Sequence, residues 1–279
     1  MNRDIGFMQG RLSPIVDGQI QAFPWDNWQE EFRIAAGIGL FRMEWTLDQE
    51  RLYSNPIMTA EGQQQIKELS VRYGVSIPSL TGDCFMQAPY WKESGEIRHE
   101  LQRDFVQIVR ACSVVGIRQI VVPLVDAGSL NTPEEETVLR KYLLGIQAEL
   151  VKLGVRVIFE SDFAPAELAK MIEKFPEDSF GINYDTGNSA ALGFSAAEEF
   201  RCYSHRITNV HIKDRVFGGT TVPLGEGSAD FVTIFEELNR AKYAGNLILQ
   251  TARSKTDDHA EALCRYRDFV IALAEADGA

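Results

Sequence analysis

The chain has 279 residues and a formal net charge of −12, from 28 Lys and Arg against 40 Asp and Glu. Hydrophobic residues make up 45% and charged residues 24%, so there is enough apolar material for a folded core and disorder is excluded as the main state. The acidic balance disfavours a nucleic-acid surface, because phosphate recognition needs a basic patch.

No apolar run approaches the roughly 20 residues of a membrane helix. Met1-Asn2-Arg3-Asp4 lacks the apolar core of a signal peptide. Cys84, Cys112, Cys202 and Cys264 are scattered and form no CxxC pair. The expectation is a cytoplasmic protein with reduced thiols and no membrane association.

In chain order, strand-like runs are predicted at Ile5–Met8, Leu40–Glu44, Val75–Leu80, Gln119–Leu124, Val155–Glu160, Phe180–Asp185, Thr208–Ile212 and Asn246–Gln250. A strand, a helix and two connections need about 30 residues or more, and these eight starts are 25 to 44 residues apart. Helices are predicted between them at Trp28–Ala36, Thr59–Tyr73, Arg98–Val115, Thr132–Leu153, Pro165–Phe175, Ser195–Tyr203, Asp230–Ala241 and Asp257–Ala276. Thr132-Pro133-Glu134 supplies a cap, an N1 proline and an acid to one helix start. Gly39, Gly74, Gly116 and Gly154 each stand just before a strand, as expected where helices return the chain to a parallel sheet. Runs such as Ile120-Val121-Val122-Pro123-Leu124 are apolar throughout, as in strands covered on both faces. No GxGxxG follows the first strand, so a dinucleotide crevice has no support. The expected fold is an α/β single domain over residues 1–279, closed as a (β/α)8 TIM barrel.

Such a barrel builds its active site at the C-terminal ends of the strands. The residues falling there are Arg11, Glu44, Asp83, Asp126, Glu160 with Asp162, Asp185, His211 with Lys213 and Asp214, and Gln250 with Arg253. An acid after a strand often caps the next helix, which is the simpler account of Asp83, Asp126 and Asp162. Glu160, Asp185 and His211 interrupt apolar runs instead. Carboxylates crowded at a barrel mouth repel each other. A divalent cation relieves that repulsion, and neutral imidazole is a natural third donor. Mn²⁺, Mg²⁺, Co²⁺ and Zn²⁺ all suit that donor set.

The segments Val157-Ile158-Phe159-Glu160, Asn183-Tyr184-Asp185-Thr186-Gly187-Asn188, Asn209-Val210-His211-Ile212-Lys213-Asp214 and Pro223-Leu224-Gly225-Glu226-Gly227 carry a resemblance, together with the opening Gly6-Phe7-Met8-Gln9-Gly10-Arg11. The chain resembles the xylose isomerase-like TIM barrel superfamily of sugar and sugar-phosphate isomerases and epimerases. The resemblance implies one divalent metal held by Glu160, Asp185, His211 and a strand-eight residue. It also implies a small sugar-like substrate and a possible homodimer. Two positions depart from the family pattern. Gln250 stands where the family usually has a glutamate, and Asn188 stands where a histidine is common. In related epimerases two glutamates exchange protons with the substrate, and a glutamine amide is no base at neutral pH.

Three outcomes follow. Glu160 acts alone as an acid/base through an enediol(ate); or Asp162, Glu44 or Asp214 replaces the missing acid; or the barrel binds a sugar with little catalysis. A lyase of the inosose dehydratase type is the alternative chemistry on the same scaffold. Lys213 is the expected proton donor or charge partner. Arg11, Glu44, Asn188, Asp214, Arg215 and Arg253 are the expected substrate-binding residues. Trp25, Trp28, Trp45, Phe85, Tyr90 and Trp91 are candidates for a sugar-facing wall, Trp28 fitting the core better. Gly218-Gly219 marks a lid or a plain turn. His99, His205 and His259 read as surface or packing residues.

Overall fold

A computed structural model of the chain describes residues 5–254 and 256–276. Eight parallel strands close into a barrel: β1 Ile5–Met8, β2 Arg42–Thr46, β3 Ser76–Thr81, β4 Gln119–Leu124, β5 Arg156–Ser161, β6 Phe180–Asp185, β7 Ile207–Ile212 and, after a small hairpin, β10 Asn246–Leu249. The hairpin pairs β8 Asp214–Arg215 with β9 Thr221–Val222, so Gly218-Gly219 forms its turn.

The helices are α1 Trp28–Gly37, α2 Ala60–Tyr73, α3 Asp83–Gln87, α4 Gly95–Val115, α5 Pro133–Gly145, α6 Gln147–Leu153, α7 Pro165–Ile172, α8 Thr186–Leu192, α9 Ala196–Tyr203, α10 Phe231–Arg240 and α11 His259–Ala276. The single helix expected over 132–153 is two, interrupted at Ile146 after Gly145. Its start is as expected: Thr132 accepts from the Glu135 amide and Pro133 is the first helical residue. The short helices α3 and α8 were not anticipated, because neither is long enough to show a helical period. Gly74, Gly116 and Gly154 end α2, α4 and α6 at φ of 68°, 90° and 64°, a left-handed conformation that side chains resist.

Alternation along each strand separates two environments. Outward side chains pack against the helices: Trp45 meets Trp28 of α1 at 5.7 Å between ring centroids, Phe159 meets Phe175 at 5.1 Å, and Tyr184 meets Phe200 of α9 at 5.2 Å. Inward side chains toward the C-terminal mouth are polar. Glu44, Ser79, Asn183, Asp185, Asn209 and His211 are all buried there. Phe85, Tyr90 and Trp91 also lie in the core, so the expected aromatic sugar wall is not formed by these residues. Trp25 is half-buried, with the Arg51 guanidinium 3.8 Å above its ring.

The β6–β7 pairing contains a register shift. Ile182 pairs with Ile207, but Asn183 pairs with Asn209, leaving Thr208 as the extra residue. Beyond it Asp185 pairs with His211. Without the bulge Asp185 would stand opposite Val210, and His211 would turn to the helix side. One inserted residue therefore sets the imidazole inside the barrel.

No helix among the described residues is long and apolar enough to cross a membrane.

Candidate active site and metal centre

Glu160, Asp185 and His211 come from three neighbouring strands, β5, β6 and β7. One ligating atom of each lies within 4.8 Å of the others, and all three residues are buried. His211 Nδ1 is 3.1 Å from Glu160 Oε2 and 3.8 Å from Asp185 Oδ2. Asp185 does two jobs. Its Oδ1 accepts from the Asn188 amide at 2.8 Å and caps α8, while Oδ2 faces His211 and Lys213.

The rest of the histidine environment comes from across the barrel. His211 Nε2 is 2.7 Å from Glu44 Oε1 on β2. Glu44 Oε2 accepts from Ser79 Oγ at 2.6 Å and from Asn209 Nδ2 at 3.0 Å. Glu44, expected from the sequence among the substrate-binding residues, is thus fully enclosed beneath the ring. The strand runs two residues past Glu44 to Thr46, which puts Glu44 inside the barrel instead of on its rim. A carboxylate on one ring nitrogen fixes the imidazole so that the other faces the ligand cluster.

Burial by itself would lower the His211 pKa. Glu44, with Asp185 and Glu160, overcomes this and holds it well above the usual histidine value. Burial likewise opposes ionisation of Asp185, but Lys213 and His211 prevail and hold its carboxyl below the usual carboxylate range. Positive charge is therefore what this cluster of acids calls for. Metal binding at such a site displaces protons from its ligands.

Asn188 sits at the other edge of Glu160. Its Nδ2 donates to Glu160 Oε1 at 2.6 Å, and its Oδ1 accepts from Arg215 Nη1 at 2.8 Å. Lys213 Nζ lies 3.4 Å from the same Oδ1 and 3.5 Å from Asp185 Oδ2. Gly187 makes this approach possible, since a Cβ there would meet Lys213 Cγ at 2.7 Å. The guanidinium of Arg215 also donates to Gly219 O at 2.7 Å, which ties the β8–β9 hairpin to the site.

Gln250 is buried at the end of the barrel strand β10. Its Nε2 donates to Gln21 Oε1 at 2.8 Å, and its Oε1 has no hydrogen-bond partner. An unpartnered buried carbonyl oxygen fits an oxygen donor to a cation or an acceptor for a substrate hydroxyl. Two carboxylates, one imidazole and this oxygen suit a divalent ion of the Mn²⁺, Mg²⁺, Co²⁺ or Zn²⁺ kind.

Four other expected site residues are occupied elsewhere. Asp214 is fully buried, and its carboxylate accepts from the amides of Gly225, Gly227 and Ala229 at 2.9, 2.9 and 3.1 Å. It anchors the loop after the hairpin. Arg11 donates to Thr251 O at 2.9 Å and Ile20 O at 2.8 Å; burial, with Arg253 nearby, lowers its pKa to about 9. Arg253 donates to Gly10 O and Ser13 O. Both arginines bind the loop after β1 to the loop after β10. Asp162 accepts from Ser129 Oγ and joins the loops after β4 and β5, outside the ligand cluster. His99 and His205 are exposed and His259 is buried, all three on helical elements away from the cluster.

Sequence reasoning missed Ser79, Asn183, Asn209 and Gln21. Asn183 donates to Glu160 Oε2 at 2.8 Å, and Asn209 donates to Asn183 Oδ1 at 2.8 Å. Each asparagine lies two residues before a ligand on the same strand face, so a period of two would have found them.

The anchoring role of Asp214 carries a stability prediction. Asp214→Ala is expected to destabilise the protein by about 3 kcal/mol, because three amides lose their acceptor. Denaturant unfolding measures this, and a change within about 0.5 kcal/mol, the usual range for a surface substitution, excludes the role.

A family model described as "xylose isomerase-like TIM barrel" matches residues 32–268. The chain belongs to this family. L-ribulose-5-phosphate 3-epimerase UlaE of Escherichia coli strain SE11 is 26% identical over 257 residues, covering 88% of this chain and 89% of that one. A xylose isomerase domain protein from Planctomyces limnophilus superposes with a TM-score of 0.76 at 15% identity, over 99% of this chain and 98% of that one. The IOLI protein, solved with a bound zinc atom, superposes with a TM-score of 0.73 at 12% identity, over 98% of both chains. These two likenesses show the shared barrel.

Proposed function

We propose that this family member is a divalent-metal-dependent isomerase or epimerase of a small ketose or ketose phosphate. The observation that carries the reading is the meeting of Glu160, Asp185 and His211 at the barrel mouth; Gln250, whose side-chain oxygen has no partner, follows β10, the strand paired with β7. The UlaE likeness supports a sugar epimerase, and the zinc in the IOLI protein supports a metal in this kind of barrel.

Glu160, Asp185, His211 and Gln250 would hold the ion. When bound, it supplies a positive charge that favours an oxyanion on the carbon next to the reacting C–H bond. The protein residues do the rest. Glu160 takes the proton next to the carbonyl, since its carboxylate is the one ligand group held in place by side-chain amides on both oxygens. Asn188 orients Glu160 and links it to Arg215. Lys213 and Arg215 give positive potential at the mouth, which favours an anionic substrate and a developing oxyanion.

The test is proton exchange. Protein loaded with Mn²⁺, Mg²⁺, Co²⁺ or Zn²⁺ is incubated in D₂O with L-ribulose 5-phosphate, L-ribulose and other ketoses. Proton NMR should show deuterium next to the carbonyl together with a new epimer or aldose, and chelation should stop both. No exchange with any ketose under any of these metals overturns the proposal. A dehydrated product absorbing in the ultraviolet assigns the site to a lyase instead.

A further inference from the structure

Gln250 removes the second carboxylate that a two-sided proton transfer needs. The structure also removes three substitutes expected from the sequence. Glu44 is taken by His211, Ser79 and Asn209; Asp214 by backbone amides; Asp162 by Ser129. One buried acid near the mouth is instead linked by hydrogen bonds to Gln250 itself. Asp83 is the first residue of α3, directly after β3, and is 8% exposed. Among the described residues its carboxylate accepts one side-chain hydrogen bond, from Gln21 Nε2 at 2.5 Å. Gln21 in turn accepts from Gln250 at 2.8 Å. A chain of two amides therefore runs from the position of the missing glutamate to Asp83.

We propose that Asp83 is the second acid/base of this site, acting on the substrate face opposite Glu160, with Gln21 and Gln250 positioning it. This rests on the epimerase form of the reading above. Asp83 follows β3, Glu160 stands near the end of β5 and Lys213 follows β7, so the three groups share the C-terminal mouth of the barrel. Burial, with Asp48 and Glu160 nearby, raises its pKa to about 7. A carboxyl poised near neutrality can either give or accept a proton at working pH.

The proton and electron count closes. Glu160 as carboxylate removes the hydrogen next to the ketose carbonyl. The C–H pair becomes the C=C bond of an enediolate, and the carbonyl pair moves to oxygen. Asp83 as carboxylic acid then delivers its proton to the opposite face of the same carbon. The C=C pair forms the new C–H bond, and the oxygen pair restores the carbonyl. Glu160 leaves protonated and Asp83 ionised, and both reset with water. The reverse reaction exchanges the two roles.

The experiment compares wild type and Asp83→Asn, both metal-loaded, starting from each of the two epimers in D₂O. Folding and metal content are checked by thermal melting and elemental analysis. Asp83→Asn is expected to interconvert the epimers at least 100-fold more slowly. Deuterium exchange should persist from the epimer whose hydrogen faces Glu160 and vanish from the other. That asymmetry separates a one-sided proton carrier from a residue that only supports the fold, which would slow both exchanges alike. Interconversion within threefold of wild type, or equal loss of both exchanges in a folded, metal-loaded variant, overturns the assignment of Asp83 alone. If Asp83→Asn does not fold, Asp83→Ala is read by the same criteria. Wild type that exchanges no ketose overturns this assignment together with the reading beneath it.

Discussion

Glu160→Gln is expected to lower turnover by about 10³-fold, within the range of roughly 10² to 10⁴ for losing a positioned acid/base. The reason is local. Both carboxylate oxygens of Glu160 are already oriented, by Asn183 Nδ2 at 2.8 Å and by Asn188 Nδ2 at 2.6 Å. An amide has the same shape but cannot take a proton at neutral pH. Its NH₂ must also face one of the two asparagine NH₂ groups, which costs on the order of 1 kcal/mol. The barrel should stay folded, because the core lies outside the strands and Glu160 points inside. Ketose turnover and D₂O exchange, read beside a melting curve, make the check. Activity within tenfold of wild type removes Glu160 from the proton path.

Glu44→Gln should weaken divalent-metal binding by roughly 10- to 100-fold, the usual cost of changing a carboxylate behind a ligating histidine. Glu44 touches none of the expected ligands except His211, at 2.7 Å. Its effect therefore passes through the orientation and proton count of that ring. The charge also counts, since Glu44 is foremost among the acids that push the His211 pKa up against the penalty of burial, and a more basic ring is a better metal donor. Isothermal titration with Mn²⁺ measures the affinity, and the Co²⁺ absorption spectrum reports the ligand geometry. Unchanged affinity and spectrum would mean that the Glu44–His211 contact does not reach the metal. The same variant keeps an oxygen for Ser79 and Asn209, so a large loss of stability is not expected.

The sequence was most informative where one residue had one demand on it. Strand runs at Ile5–Met8, Gln119–Leu124 and Phe180–Asp185 match the structure at both ends, because apolar strands between helical segments leave little choice of element. Glu160, Asp185 and His211 stood out because each breaks such a run with a group that burial penalises. Loop residues were less legible. Asp214 and Arg253 look like binding groups in one dimension, yet they fold loops in three. Polar side chains near a strand end serve backbone amides and carbonyls as readily as they serve ligands, and only neighbours remote in sequence decide which. Gln21 shows the same limit from the other side. It lies in a segment without pattern, and its importance comes from contacts with Gln250 and Asp83, far along the chain.

The order of elements, the eight parallel staves and the chemistry of three candidate ligands were determined by the sequence itself, through burial periodicity and the cost of placing charge in apolar runs. The tertiary structure decided which way those ligands face and what stands behind them. The extra Thr208 in the β6–β7 pairing turns His211 inward beside Asp185. Closure of the barrel then brings Glu44, 167 residues away, to the back of the ring. Register and closure depend on the twist and stagger of the whole sheet, and no local stretch of residues encodes them.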